Sequence, residues 1–162
     1  MNQEVLSFRA LQPFLFICGC IFVIQVANAQ VPKREFRGVW VSTVANIDWP
    51  SRSGLSTAEQ QEEIIRTLEM HSQNGINAII LQVRPTADAI FSSELEPWSR
   101  FLSGEQGKAP EPYYDPLAFW IQEAHRRGME LHAWFNPYRV NLRQSDSLTT
   151  SHMALQHPEW TF

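Results

Sequence analysis

Apolar residues along the chain follow two alternating spacings. Three segments rich in β-branched and aromatic residues predict strands: 36–44 (FRGVWVSTV), 76–84 (INAIILQVR) and 129–137 (MELHAWFNP). The second segment is almost continuously apolar, a pattern typical of a parallel strand covered on both faces. Helical segments separate the three, so the order β-α-β-α-β predicts a parallel sheet with a helical crossover between successive strands.

The first helix is predicted from about Thr57 to Asn74. Ser56 and Glu59 form a capping box, in which the serine hydroxyl accepts from a free helix N–H and the glutamate reaches back. Gly75 supplies the left-handed residue that commonly ends a helix. The residues predicted to be buried along this helix are Ala58, Ile64, Ile65 and Leu68.

The second helix is predicted to begin at Asp115-Pro116 and to end before Gly128. Aspartate is a favoured N-cap, and proline is tolerated at the first helical position because its missing N–H would have no partner there. One apolar stripe at helical spacing is formed by Leu117, Trp120, Ile121 and Ala124.

The connections predict where a ligand would bind. Short turns precede the second and third strands, whereas long segments follow the strands, and α/β folds place ligands at the carboxyl ends of their strands. A (β/α)8 barrel and an open doubly wound sheet both fit this order. No glycine-rich phosphate motif follows a strand, which disfavours dinucleotide binding. A complete TIM barrel needs about 250 residues, so residues 30–162 are expected to form a truncated N-terminal portion with about three βα units.

Residues 1–29 are predicted to be a signal peptide. The apolar run from Phe14 to Val26 is too short to span a bilayer, which takes about 20 apolar residues. Ala27-Asn28-Ala29 follows it with the small-x-small pattern of a cleavage site. The protein is therefore expected to be exported to the periplasm or cell envelope and to contact the membrane only through this leader. A retained membrane anchor and a lipoprotein anchored at Cys20 are the alternatives.

Composition narrows the chemistry of residues 30–162. Both cysteines, Cys18 and Cys20, fall in the leader, so no disulfide, thiolate site or cysteine nucleophile is expected. A net charge of −4 provides no basic face for nucleic acid. The five histidines show no metal-ligand spacing, and neither a metal nor a cofactor is expected.

Side chains alternate between the two faces of a strand. In the second strand, Ile79, Leu81 and Val83 are assigned to the helix layer, whereas Gln82 and Arg84 point inward. In the third strand the inward residues are Glu130, His132, Trp134 and Asn136. Polar side chains thus gather at the carboxyl ends, as a satisfied interior network or as the floor of an active site.

The candidate substrate-binding residues lie on the inward faces or just past the strand ends. They are Trp40, Arg84, Asp88, His132, Trp134, Asn136, Tyr138 and Arg139. An ion pair of Arg84 with Asp88, or of Arg139 with a later acid, would equally serve a structural purpose.

Aromatic and acidic residues of the first strand and loop have two interpretations. Trp40, like Trp134, would act as a platform for a sugar ring or pack in a core. Asp48 and Trp49 would line the cleft, although an ordinary solvated loop position is favoured for Asp48.

Three long motifs resemble a known family. They are FRGVWVSTVANIDWPS from residue 36, NGINAIILQVRPTADAIFSSELEPWSRFLSG from residue 74 and YYDPLAFWIQEAHRRGMELHAWFNPYRVN from residue 113. From about Glu35 to Phe162 the sequence resembles the glycosyl-hydrolase-like 10 family of bacterial envelope proteins. The resemblance implies a (β/α)8 barrel that acts on polysaccharide, with the glycan strands of peptidoglycan as the first substrate class.

The family pattern can be carried over segment by segment. RGVWV at 37–41 resembles the first barrel strand, QVRPTADA at 82–89 the second strand and its loop, and HAWFNPYR at 132–139 the third. Family members continue past a segment similar to 157–160 into a fourth strand that ends in paired aspartates. The resemblance therefore places the catalytic carboxylates downstream of Phe162, and no catalytic residue is expected within this segment, which is expected to be inactive alone.

A protein of another class would share this sequence pattern. The alternative is a non-catalytic glycan-binding envelope protein on the same scaffold, because a fold does not determine a function. The two are distinguished by whether the complete protein presents two carboxylates about 5 to 9.5 Å apart at the barrel mouth.

Overall fold

A computed structural model describes residues 35–143 and 146–161. Its sheet has three parallel strands in the order β1-β2-β3, namely Gly38–Val41, Ala78–Arg84 and Glu130–Phe135. The helices are α1 (Thr57–Gln73), α2 (Arg100–Ser103), α3 (Pro116–Arg126) and α4 (Met153–Gln156), with 3-10 turns at Val44–Asn46 and Pro158–Trp160. The protein is thus a mixed α/β structure with the predicted order of long elements. The predicted signal peptide lies outside the described residues.

The core lies between the sheet and the two long helices. Ile79, Leu81 and Val83 are fully buried in one apolar cluster. The cluster also contains Val41, Ile64, Leu68, Trp120 and Ala124. The predicted assignment of alternate β2 residues to the helix layer is therefore confirmed, and the other face of β2 carries Gln82 near its carboxyl end.

The capping signals place the start of each long helix. The Ser56 hydroxyl accepts from the Glu59 N–H while the Glu59 carboxylate accepts from the Ser56 N–H, and α1 stops before Gly75, at φ 76°. Asp115 caps α3 by accepting from the Ala118 N–H at 3.0 Å. The prediction that Ala58 is buried was wrong.

Thr57 and Gln60 are the buried residues at the start of α1, whereas Ala58 is exposed. The Gln60 amide donates to the Leu55 carbonyl and its side-chain oxygen accepts from the Tyr114 hydroxyl. The apolar pattern did not predict the burial of Gln60, because a polar side chain whose hydrogen bonds are satisfied can be buried where an apolar one is expected.

Register brings the carboxyl ends of the strands together. Gly38 is opposite Ala78, and Ala78 is opposite Glu130. An irregularity between Gln82 and Arg84 shifts the pairing of β2 with β3 near its end. Within the part of the chain that the structure describes, no helix has the length and apolar character needed to cross a membrane.

Candidate functional site

Gln82 joins the ends of all three strands. Its side-chain oxygen accepts from the Thr43 N–H at 3.0 Å, the Val44 N–H at 2.9 Å and the Ser42 hydroxyl at 3.1 Å. Its amide nitrogen donates to the side-chain oxygen of Asn136, which follows β3. This buried amide fixes the turn after β1 and orients Asn136 at the sheet edge.

Arg84 lies beside this junction at the last position of β2. Its Nε donates to the Glu96 carboxylate at 2.5 Å and its Nη1 donates to the Asn136 carbonyl at 2.7 Å. The side chains of Arg84 and Glu96 are each 15% exposed. The structural alternative of an Arg84–Asp88 pair is not observed, because Glu96 is the partner of Arg84.

Asp88 is fully buried in the loop after β2. Its carboxylate accepts from the Thr86 N–H and hydroxyl and from the Gln106 amide, at 3.0 to 3.2 Å. Burial raises the pKa of Asp88 above its ordinary value, while these hydrogen bonds act in the opposite direction. These contacts give Asp88 a role in holding the loop, and a direct contact with substrate stays a prediction.

Two tryptophans form an aromatic pair on the sheet face opposite the helices. Trp40 and Trp134 meet edge to face with ring centroids 5.0 Å apart. Trp40 remains 61% exposed. An exposed aromatic ring offers an apolar face to a sugar, and stacking of Trp40 on a sugar stays a prediction.

His132 lies on the same face, one row nearer the amino ends of the strands. His132 is opposite Ile80 in the strand register, and its ring packs edge-on against the Phe36 ring with centroids 5.5 Å apart. Its Nε2 lies 3.1 Å from a carboxylate oxygen of Glu130. The structure therefore places His132 below the Gln82 junction rather than within it.

Tyr138 and Arg139 follow β3 and line an open groove of about 530 Å³. The other lining residues are Val140, Asn141, Ala154, Trp160 and Thr161. Tyr138 is 94% exposed. The structural alternative, a pair of Arg139 with a later acid, is not seen among residues 35–143 and 146–161.

In the loop after β1, Trp49 does not lie where the sequence predicts. Trp49 is 1% exposed in the core, where its indole N–H donates to the Gln60 carbonyl at 3.2 Å. Asp48 is exposed and accepts from the Ser42 N–H at 2.8 Å, so it caps the turn after β1. Trp49 therefore does not line a cleft.

Sequence reasoning missed Glu96 and Trp160. Glu96 lies in the loop where the sequence places it, but its pairing with Arg84 is not predicted, although a buried arginine needs a carboxylate partner. For Trp160, the sequence offered a family-like segment but no indication that its ring would line the groove. Among the described residues, no cluster of three or more histidine, cysteine, aspartate or glutamate side chains is arranged to hold a metal ion.

Sequence comparison finds known proteins that are similar to this chain. The model of a family described as glycosyl hydrolase-like 10 matches residues 35–162. The chain is 51% identical over 144 residues to glycosyl hydrolase YngK of Bacillus subtilis (strain 168), covering 86% of this chain and 28% of that protein. It is 36% identical over 151 residues to glycosyl hydrolase DigH of Escherichia coli (strain K12), covering 83% of this chain and 34% of that protein. The chain thus spans about a third of the length of these relatives.

Proposed function

Because the chain belongs to the glycosyl hydrolase-like 10 family, we propose that the complete protein hydrolyses O-glycosidic bonds in a bacterial envelope polysaccharide. The relatives that it resembles are named glycosyl hydrolases, and a carbohydrate substrate follows from the family. The glycan strands of peptidoglycan are the substrate that we propose first. Export to the periplasm or cell envelope, through the predicted leader at residues 1–29, would bring the protein to that substrate.

The observation that carries this proposal is the grouping of aromatic and polar side chains on one sheet face. Trp40 and Trp134 form an aromatic pair there, and Gln82, Arg84 and Asn136 form a hydrogen-bonded group at the strand ends. Glycan sites combine apolar ring faces with a few convergent polar groups that fix orientation. The apolar core packs on the opposite face of the sheet, and the polar group lies at the carboxyl ends of the strands, where α/β folds bind their ligands.

We propose that the three strands are the first units of a (β/α)8 barrel. Parallel pairing, helical crossovers and long segments after the strands support this architecture. In such a barrel the Trp40 and Gln82 face would be the interior, and the carboxyl ends would form the mouth.

The two catalytic carboxylates are proposed to lie downstream of this segment. Of the acids near the strand ends, Glu96 is committed to Arg84 and Asp88 is buried within its loop. Glu96 is thus paired with Arg84, and the Asp88 carboxylate is held by Thr86 and Gln106, so neither presents a free carboxylate at the strand ends. Arg84, Asn136, Tyr138 and the tryptophans would bind and orient the sugar.

Cleavage by the complete protein tests the proposal. Purified peptidoglycan glycan strands are incubated with it, and new reducing ends are measured together with product masses. We expect cleavage, and we expect Trp40→Ala to lower kcat/KM about tenfold through loss of one stacking face. Met70→Ala, an exposed change on α1, is the control that should leave kcat/KM unchanged.

Two other outcomes would overturn the proposal. Sedimentation of the protein with glycan strands without any cleavage would identify a non-catalytic glycan-binding protein. Cleavage that is insensitive to Trp40→Ala would place the sugar site elsewhere.

A further inference from the structure

The groove that follows β3, hereafter the Arg139 groove, carries a local positive charge. Its lining contains one cation, Arg139, and no carboxylate. Within the described residues Arg139 has no hydrogen-bond or ion-pair partner. By contrast, Arg84 is paired with Glu96 and Arg100 with Asp146. In a chain with a net charge of −4, this guanidinium is a local positive site open to solvent.

The walls of the groove suit a sugar ring. Tyr138 is 94% exposed and Trp160 is 60% exposed. The Trp160 ring lies parallel to the His157 ring, with centroids 4.0 Å apart, so its orientation is fixed from one side. Two aromatic side chains beside a polar Asn141 combine apolar faces with a hydrogen-bonding amide. A volume of about 530 Å³ is sufficient for a small saccharide unit.

We propose that the Arg139 groove binds an acidic sugar, with its carboxylate paired to the Arg139 guanidinium and its ring packed against Tyr138 or Trp160. This inference rests on the proposed action on a glycan and names the chemical class of one bound unit. Arginine binds carboxylates through two parallel hydrogen bonds, which gives directional recognition of that group.

The end of the sheet around Gln82 and Asn136 should prefer a different class of sugar. Arg84 is neutralised by Glu96, so the Gln82 and Asn136 end of the sheet presents amides and carbonyls without an unbalanced charge. That end suits neutral sugars, whereas the Arg139 groove suits a sugar that carries a carboxylate. Neighbouring units of one glycan would then be distinguished by charge.

Binding to the complete protein tests the inference with matched ligands. One probe is a disaccharide of N-acetylglucosamine and N-acetylmuramic acid with its lactyl carboxylate free, and the other is the same disaccharide with that carboxyl reduced to an alcohol. A short oligouronate and its reduced form are a second pair. Affinity is measured by tryptophan fluorescence titration, and mass spectrometry checks that the probes stay intact.

We expect the wild-type protein to bind a free acid about tenfold more tightly than its reduced form, the difference between a charge-assisted and a neutral hydrogen bond. Arg139→Gln should abolish the preference while retaining affinity for the reduced form. Arg143→Gln changes an exposed arginine of the same segment outside the groove lining, and it should leave the preference intact. Higher ionic strength should weaken the preference.

The outcomes separate this inference from the proposed hydrolase activity. A preference for either acidic sugar supports the inference and identifies whether a lactyl or a uronate carboxylate is the ligand, even where no bond is cleaved. Equal affinity of the wild-type protein for acid and alcohol in both pairs would overturn it. A preference that survives Arg139→Gln would also overturn it, whatever the glycan-cleaving activity.

Discussion

At the scale of single residues, Gln82 links more of the candidate site than any charged group does. Its oxygen is the acceptor for the Thr43 and Val44 N–H groups, both of which are buried. Hydrogen bonds inside a protein contribute modestly when made, but a buried donor left without a partner is costly. The polar group at the strand ends therefore depends on one neutral side chain.

Replacing Gln82 with alanine should destabilise the protein by about 2–4 kcal/mol, because two buried N–H groups lose their acceptor and a void forms. The free energy of unfolding from urea titration measures this change. Gln73→Ala, at the exposed end of α1, is the control and should stay close to wild type. A loss for Gln82→Ala no larger than for the control would contradict the role of the junction.

The raised pKa of Asp88 predicts that the stability of the protein depends on pH. Burial raises that pKa above the ordinary 3.8 in the folded state, so the folded protein retains the proton to higher pH than the unfolded chain. The stability that Asp88 contributes is thus fully present below pH 3.8 and is lost as pH rises through the raised pKa. Relative to Asp88→Asn, wild-type protein should lose free energy of unfolding as pH rises across that window.

Glu59 supplies a control of opposite sign for the Asp88 experiment. Hydrogen bonds from the Ser56 hydroxyl and N–H lower the pKa of Glu59. Its contribution should be present above the unfolded pKa and be lost as pH falls through the folded pKa. Urea titrations of Glu59→Gln and Asp88→Asn over the same pH range should therefore show opposite slopes against wild type. A constant offset for Asp88→Asn would show that its pKa is not raised.

At the scale of elements, helix starts are the best-defined local feature. Ser56→Ala removes the hydroxyl that accepts from the Glu59 N–H at 3.3 Å. We expect a loss of about 1 kcal/mol in the free energy of unfolding, the usual cost of losing an N-cap. Ser53→Ala, three residues earlier in an exposed turn, should have little effect. Equal losses for the two serines would show that the capping box contributes nothing.

The long elements could be predicted from sequence because their signals are local. Caps, helical spacing and apolar runs predict both long helices and all three strands. The predicted strands are longer than the observed ones. β1 was expected to reach Val44, yet it ends at Val41. Beyond that point the N–H groups of Thr43 and Val44 bond to the Gln82 side chain instead of a neighbouring strand. These hydrogen bonds join residues far apart in the sequence, so a local sequence pattern does not predict them.

At the scale of the whole molecule, strand alternation explains which site contacts were predictable. It placed Gln82, Arg84 and Asn136 at one sheet edge, and they do meet there. The partner of Arg84 and the burial of Asp88 depend on how the loop 85–114 folds back on β2. Those contacts join residues through a long irregular segment, where periodicity carries no information.

The last described segment, 146–161, is attached to that loop by buried contacts. His152 is fully buried, and its Nε2 lies 3.0 Å from the Thr86 carbonyl, which only accepts, so Nε2 carries the proton. Its Nδ1 accepts from the Ala154 N–H at 3.2 Å. Gln106 adds a second link, accepting from the Thr149 N–H. One imidazole thus connects residues that are 66 positions apart.

Removing this link should loosen the segment without unfolding the sheet. In His152→Ala the Thr86 carbonyl and the Ala154 N–H lose a partner, so local opening of 147–161 becomes easier while the hydrogen bonds among β1, β2 and β3 persist. Hydrogen exchange followed by mass spectrometry should show faster exchange in 147–161 and unchanged protection of the strands. His125→Ala, exposed on α3, should change exchange in neither region.

His152→Ala should also weaken binding of acidic sugars, because Ala154 and Trp160 line the Arg139 groove. Unchanged exchange in 147–161 would mean that other contacts hold the segment, with His152 only filling space.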